Sequence, residues 1–338
     1  KNVPARNLLS HLAIRAGDVD GAARINDEAR KLDPASEDVQ VARAEILNIQ
    51  GRREQAVEYL AAYCRSVDGR RSVKAILALA DLYRMQSDFA AAEEQIRAAG
   101  TLAPDSVGVF LMQVRCLASQ SRFDDILAAL AVRREKHALE PQVLISVASI
   151  LSAANAERYL REAKSLFEQY VLANPAAVEG YLGLAMIALQ LGQAAEAENA
   201  YRKLLEVAPY HQHALNNLAW ILQDRLRNPE EALQFANRGV RRYPNDPHLL
   251  NTRGVTYYRL VLLKEAQRDL QKSMELAVGL PSTRARSLYY LGRIHAQQGE
   301  RELARAVLDE ALKIDRQQSV FTPEERGEIQ KLLGGYSN

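Results

Sequence analysis

Cysteine and tryptophan are scarce in this chain: 338 residues hold two cysteines and one tryptophan, and aromatic residues make up only 6%. Cys64 and Cys116 are too far apart in sequence for a CxxC redox pair, and two thiols cannot furnish a four-ligand zinc site. Both read as small core residues. Charge of one sign is lacking too. Lys+Arg 44 against Asp+Glu 42 leaves +2, so no bulk field favours nucleic acid. No apolar run approaches the length of a membrane span. The richest, Leu182 to Leu191, is interrupted and reads as a core helix. Gly-rich phosphate loops, nucleophile elbows and His-Glu-x-x-His patterns are absent. The six histidines form no catalytic set. His211-Gln212-His213 offers two imidazoles without a third ligand, and reads as solvent-exposed turn residues. No enzyme and no cofactor are expected.

What remains is repetition. Apolar residues recur at three- and four-residue intervals, the helix period, and nothing alternates as a strand would. A unit of about 34 residues repeats along the chain. From Val178, places four, seven, eight, fifteen, twenty, twenty-four and thirty-two hold Tyr181, Leu184, Ala185, Gly192, Ala197, Tyr201 and Pro209. From Ala285, the first six of those places hold Leu288, Leu291, Gly292, Gly299, Ala304 and Leu308. Small residues at places eight and twenty let two helices approach closely. Glycine near place fifteen suits a left-handed cap, and the closing proline stops the second helix.

Such units resemble the tetratricopeptide repeat, and the resemblance covers nearly the whole chain. It implies an all-α, right-handed α-solenoid of about nine helix–turn–helix units spanning 1–320. A capping helix and tail follow over 321–338. Repeat two, from near Glu37, lacks its terminal proline around Asp68. Repeat four, from Val107, has Ile126 where a small residue belongs. Repeat five carries extra residues, read as a longer turn from Ser152 to Arg161. Repeat eight ends late, at Pro281. Because each repeat couples only to its neighbours, a weak point is expected over 107–161, dividing 1–139 from 140–338. Thr322-Pro323-Glu324-Glu325 forms a capping box with proline at the first helical position. The helix it opens, through Ile329, Leu332 and Leu333, would cover the last repeat's apolar face before Gly334-Gly335 stops it. The start at Lys1 without methionine suggests a piece of a longer protein.

In this family the first helix of each repeat lines the concave groove, with places two, five, nine and twelve pointing inward. That assigns His213, Asn216, Trp220 and Gln223 to the groove from repeat seven. Repeat eight adds His248, Asn251 and Tyr258, and repeat nine adds Arg286, Tyr289 and Arg293. Aromatics, amides and arginines are the composition of an interface centre, although Trp220 and Tyr289 could equally pack between helices. The same places in repeat three include Lys74, Asp81 and Arg84, a charged surface that is the fallback site. A carboxylate clamp of the chaperone-binding kind is only loosely echoed by His213, Asn217, Asn251 and Arg286, with no lysine in place. The asparagine ladder of glycosyltransferase-associated repeats is missing, since Asn7, Asn216, Asn217 and Asn251 are few and uneven.

The runs Ala214–Trp220, Asn228–Ala232 and Leu250–Gly254 resemble long bacterial arrays of cell-envelope and exopolysaccharide machines. The expected function is a non-catalytic scaffold that takes a protein or peptide partner in its groove. It would sit within a bacterial multiprotein assembly, periplasmic in preference to cytoplasmic, without binding nucleic acid or inserting in a membrane. The alternative is a glycan-handling module in which Trp220, Tyr258 and Tyr289 stack on sugar rings.

Overall fold

The computed structural model describes residues 2–334, and among these there are nineteen helices and no strand. Gly335 and the rest of the expected tail lie outside the described residues. Eighteen helices form nine antiparallel pairs and the nineteenth follows alone. The chain divides into two compact blocks, 1–166 and 167–338, and the division falls inside one helix.

The N-terminal block pairs α1 (Val3–Arg15) with α2 (Val19–Leu32), α3 (Glu37–Ile49) with α4 (Arg53–Arg65), and α5 (Val73–Met85) with α6 (Phe89–Leu102). It continues with α7 (Val107–Ser119), α8 (Phe123–Lys136), α9 (Pro141–Ser152) and the start of α10 (Glu157–Ala173). The C-terminal block takes the end of α10, then α11 (Val178–Gln190), α12 (Ala194–Val207), α13 (Gln212–Asp224) and α14 (Pro229–Arg242). After them come α15 (Pro247–Arg259), α16 (Leu263–Leu276), α17 (Pro281–Gln297), α18 (Arg301–Gln318) and α19 (Pro323–Gly334).

Local chemistry places the helix starts. Asp18, Ser72, Asp88, Ser106, Asn228 and Asp246 each accept a hydrogen bond from a first-turn backbone N–H, as a good N-cap does. The turns within pairs share one left-handed residue at place fifteen. Gly17, Gly51, Gly192 and Gly299 hold it at φ +81, +78, +73 and +76. Ser87, Ser121 and Val261 adopt the same sign without being glycine, at φ +62, +58 and +60.

Packing follows the repeat. Ala22, Ala56, Ala92, Ala163, Ala197, Ala232, Ala266 and Ala304, the small residues of the second helices, are all fully buried. Opposite Ala304, Gly292 lets α17 lie close against α18, where an added Cβ would stand 2.5 Å from Leu308 Cδ2. Ile126 is also fully buried at this place in α8. First helices touch the next first helix: α1 to α3, α3 to α5, α5 to α7 and α7 to α9 in one block, α13 to α15 and α15 to α17 in the other. Among the described residues, no comparable contact is seen between α2 and α4, α4 and α6, α12 and α14, or α14 and α16. Where these contacts occur, the first helices form the tighter face and the second helices the more splayed one.

Two details differ from the sequence reading. The turn in repeat five is short, because Glu157 to Arg161 already belong to α10. Arg161 pairs with Glu157 one turn back at 2.5 Å, and Arg158 reaches Asp124 at 2.8 Å, so the extra residues extend a helix and leave the loop brief. Pro281 does not close repeat eight. It is the first residue of α17, where its missing N–H costs nothing.

The capping box is present as drawn. Thr322 N–H donates to Glu325 Oε2 at 2.9 Å and Glu325 N–H to Thr322 Oγ1 at 3.2 Å. Asp315 fixes the approach, accepting from Phe321 N–H at 2.8 Å and from Arg326 Nε at 2.6 Å. Fully buried Ile329 then seals a cluster with Leu288, Tyr289, Leu308, Ala311 and Phe321.

Candidate binding groove

The inner faces of α13, α15 and α17 bring most of the expected residues to one surface, but in three different situations. One set joins neighbouring first helices. Asn216 accepts from Thr252 Oγ1 at 2.8 Å, Asn251 donates to Ser287 Oγ at 2.8 Å, and His248 Nδ1 lies 2.9 Å from Thr283 Oγ1. Gln223 belongs here as well. It is 1% exposed, donating to the Thr252 carbonyl and accepting from Thr256 Oγ1 at 2.8 Å. Its amide is engaged between α13 and α15, at the edge of the cavity described below. Asn217 turns the other way, donating to the Tyr201 hydroxyl at 2.9 Å inside the stack, so it is not a groove residue. His213 stays exposed.

A second set lies beneath α19. Tyr289 is 2% exposed, with its ring 5.5 Å from that of Phe321 and its hydroxyl donating to Glu328 Oε2 at 2.7 Å. Burial and the Glu328 bond push its phenol well above the ordinary value. Arg293 pairs with Glu328 at 3.0 Å, and Arg286 with Glu325 at 3.0 Å. Expecting Tyr289 and Arg293 on an open groove overlooked the cap: the helix that seals the last repeat also lies across its inner face. Tyr258 is half-buried, its ring 5.0 Å from the Arg293 guanidinium and its hydroxyl accepting from Gln297.

The third set surrounds a cavity of about 370 Å³ lined by residues of α13, α15, α17 and the start of α19. Trp220, 37% exposed, forms one wall with the Arg225 guanidinium 5.4 Å from its ring. Arg259 holds Asp224 at 2.8 Å, leaving its Nε buried without an acceptor. The paired Arg286 and Glu325, with Tyr290, complete the lining. Burial pushes the Tyr290 phenol up, and Arg259, Arg293 and Arg286 pull it back. The result is an indole face beside several guanidinium donors, suited to side chains that are both planar and polar.

Asp224 and Arg259 were missed because the expected inward places stopped at twelve. Asp224 lies one turn beyond Trp220 on α13, and four-residue spacing repeats a face. Arg225 follows α13 as its cap residue, and no periodicity marks it. The charged positions of the N-terminal block satisfy one another: Lys74 pairs with Asp38, and Arg84 bonds Asp81 at 2.8 Å and Ser119 at 3.1 Å.

The remaining reactive side chains have structural employment. His211 caps α13, its Nδ1 accepting from Ala214 N–H, and burial followed by the neighbouring His213 lowers its pKa. Burial raises the Cys64 thiol to about 11 and raises Cys116 as well, so neither is a ready thiolate. Among the described residues no group of three histidines, cysteines or carboxylates could hold a metal ion, and no helix is long and apolar enough to cross a membrane.

Comparison with known families gives a consistent match. One tetratricopeptide repeat model matches residues 247–317, and a second matches 7–70, 148–208 and 182–247. No curated protein matches the chain. Similar solved structures include MamA (41-end) from Desulfovibrio magneticus RS-1, 18% identical over 52% of this chain and 97% of that one, with a TM-score of 0.44. YrrB, titled a TPR protein with an unusual peptide-binding site, is 23% identical over 54% of this chain and 89% of that one, at 0.44. PilW, titled a type IV pilus biogenesis factor, is 20% identical over 56% and 87%, at 0.45.

Proposed function

This chain belongs to the tetratricopeptide repeat family, and on that premise we propose that it is a non-catalytic scaffold holding a segment of a partner protein in the cavity of α13, α15 and α17. The observation that carries the reading is Trp220. It is the chain's only tryptophan, and it stands half-open beside Arg225 at the mouth of a 370 Å³ cavity. Its exposure is ordinary for a tryptophan, but large aromatics beside arginines dominate binding energy at interfaces. The proposal extends to a bacterial multiprotein assembly at the cell envelope, which rests on the style of the repeats alone. A glycan track is disfavoured, because it requires exposed ring faces and Tyr289 has none.

The same residue supplies the test. A partner captured by the full chain would be reduced to its binding peptide and titrated while Trp220 emission is followed. Binding should shift that emission. Arg225→Ala and Tyr258→Ala should each weaken the peptide by about 1–3 kcal/mol, the range usual for interface anchors. Lys136→Ala, on α8, should leave binding unchanged. Full affinity in the double variant, with no change in Trp220 emission, would move the site elsewhere.

A further inference from the structure

On the splayed side of the C-terminal block, α14 carries a second concavity, of about 630 Å³. It is lined by Tyr210, Gln234, Phe235, Arg238, Arg241 and Arg242. Spacings of three and four place the five α14 residues on one helical face. No carboxylate enters this lining. The acids of α14 lie at its other end, where Glu231 is held by Arg202 at 2.6 Å. None of the three arginines forms an ion pair among the described residues. Arg241 Nε reaches only the Asn237 carbonyl, at 3.4 Å, and the Arg242 guanidinium lies over the Tyr243 ring.

Arginines at a helix C-terminus suit the helix dipole, and that would explain Arg241 and Arg242. It does not explain Arg238, which sits a turn further in. Arg238 Nε and Nη2 are sealed from solvent with no acceptor, and its guanidinium rests 5.6 Å from the Phe235 ring centre. Burial accordingly lowers its pKa. The residue is only partly buried and also lines the open pocket; a partly desolvated cation without a counter-charge is costly, and the pocket is where one can be met. Three guanidiniums offer more donors than the two oxygens of one carboxylate can accept. A tetrahedral dianion both fills the donors and comes nearer to balancing the charge.

We propose that this pocket binds a phosphoryl group, with Arg238, Arg241 and Arg242 as its donors and Tyr210 and Phe235 as its walls. The site lies on the face opposite to the first-helix cavity and does not depend on it. The group can arrive as free phosphate or on a phosphorylated side chain of a partner, and the two sources separate experimentally.

The probe is inorganic phosphate against chloride at matched ionic strength, read by thermal melting of the full chain and by calorimetric titration. Phosphate should raise the midpoint of the wild type. Arg238→Met should abolish that rise and weaken phosphate at least about tenfold, as loss of a charged hydrogen-bonding partner does. In phosphate-free buffer the same variant should melt no lower than the wild type, since a partly desolvated cation without a counter-charge is gone. Arg241→Ala and Arg242→Ala should weaken phosphate with little effect on melting, and exposed Arg268→Ala should do neither. A phosphoserine peptide binding more tightly than free phosphate assigns the source to a partner protein; no gain over free phosphate assigns it to a small ligand. Lack of any phosphate-specific stabilisation, or equal binding by a glutamate peptide of matched sequence, overturns the proposal. So does an Arg238→Met variant that melts lower while keeping wild-type phosphate affinity.

Discussion

Replacing Val261 by glycine should make this protein more stable. Val261 occupies the turn between α15 and α16 at φ +60, where a β-branched side chain crowds its own backbone. Four other repeats use glycine at that place. The side chain recovers nothing by contact, since Val261 is 75% exposed. A left-handed non-glycine residue costs about 1–2 kcal/mol, and a β-branched one belongs at the upper end. Against a release of about 2 kcal/mol, glycine adds about 0.5–1 kcal/mol of unfolded-state freedom. The net gain is about 1 kcal/mol, or about 2–4 °C in the midpoint of the C-terminal block. Urea unfolding should show a higher midpoint with unchanged slope, because the buried surface is the same. Gly192→Val is the mirror experiment. Its φ is +73 and an added Cβ would meet nothing within 4 Å, so any loss reads backbone strain alone. A Val261→Gly variant no more stable than wild type would refute the reasoning.

Gly292→Ala should lose about 1–3 kcal/mol in the same assay, since its Cβ would overpack against Leu308. Asp269→Ala should cost about 3 kcal/mol, because it leaves Arg253, now bonded twice across α15 and α16 at 2.5 and 3.0 Å, without its buried partner. Asp315 predicts a pH dependence. Its bond to Arg326 holds the carboxyl below the ordinary value against the opposing effect of burial. Its contribution is therefore complete above the unfolded-state value and disappears as pH falls through the lowered one. Hydrogen exchange over Phe321–Leu333 should rise at neutral pH in Asp315→Asn, and in the wild type only on acidification below the ordinary aspartate range. Equal protection in variant and wild type at neutral pH would release Asp315 from that role.

The repeats were legible because each small residue answers a steric requirement that recurs every turn of the stack. Ala197 and Gly292 announce close helices wherever they fall, and Thr322 with Glu325 announces a helix start. The turn at Val261 shows the limit of such reading. Tertiary packing imposes a left-handed residue there whatever the side chain prefers, and no local signal records the imposition. The groove was legible as a set of places and misread as a set of exposures. Tyr289 has the spacing of a groove residue, yet α19 covers it, and that contact joins residues some forty positions apart. Gln223 and Asn217 point to the same lesson: an amide at an inward place is as able to bond a neighbouring helix as a ligand, and only the neighbour's hydroxyls decide.

The acidic side of α19 makes the end of the groove a contested place. Glu325 and Glu328 rest on Arg286 and Arg293, and the segment bearing them is tied to α18 by the short connection Ser319–Thr322. A tether of that length keeps its load at an effective concentration on the order of millimolar or above. Any incoming segment that seeks the same two arginines competes with a permanent resident. The apparent affinity there would be the intrinsic one multiplied by the fraction of molecules in which the helix has left, and it would rise with whatever loosens the helix. The cavity at Trp220 borders this region and shares Arg286 and Glu325 with it. On the proposed reading of the groove, the helix that covers the last repeat would also set a threshold that weakly acidic sequences would have to pass.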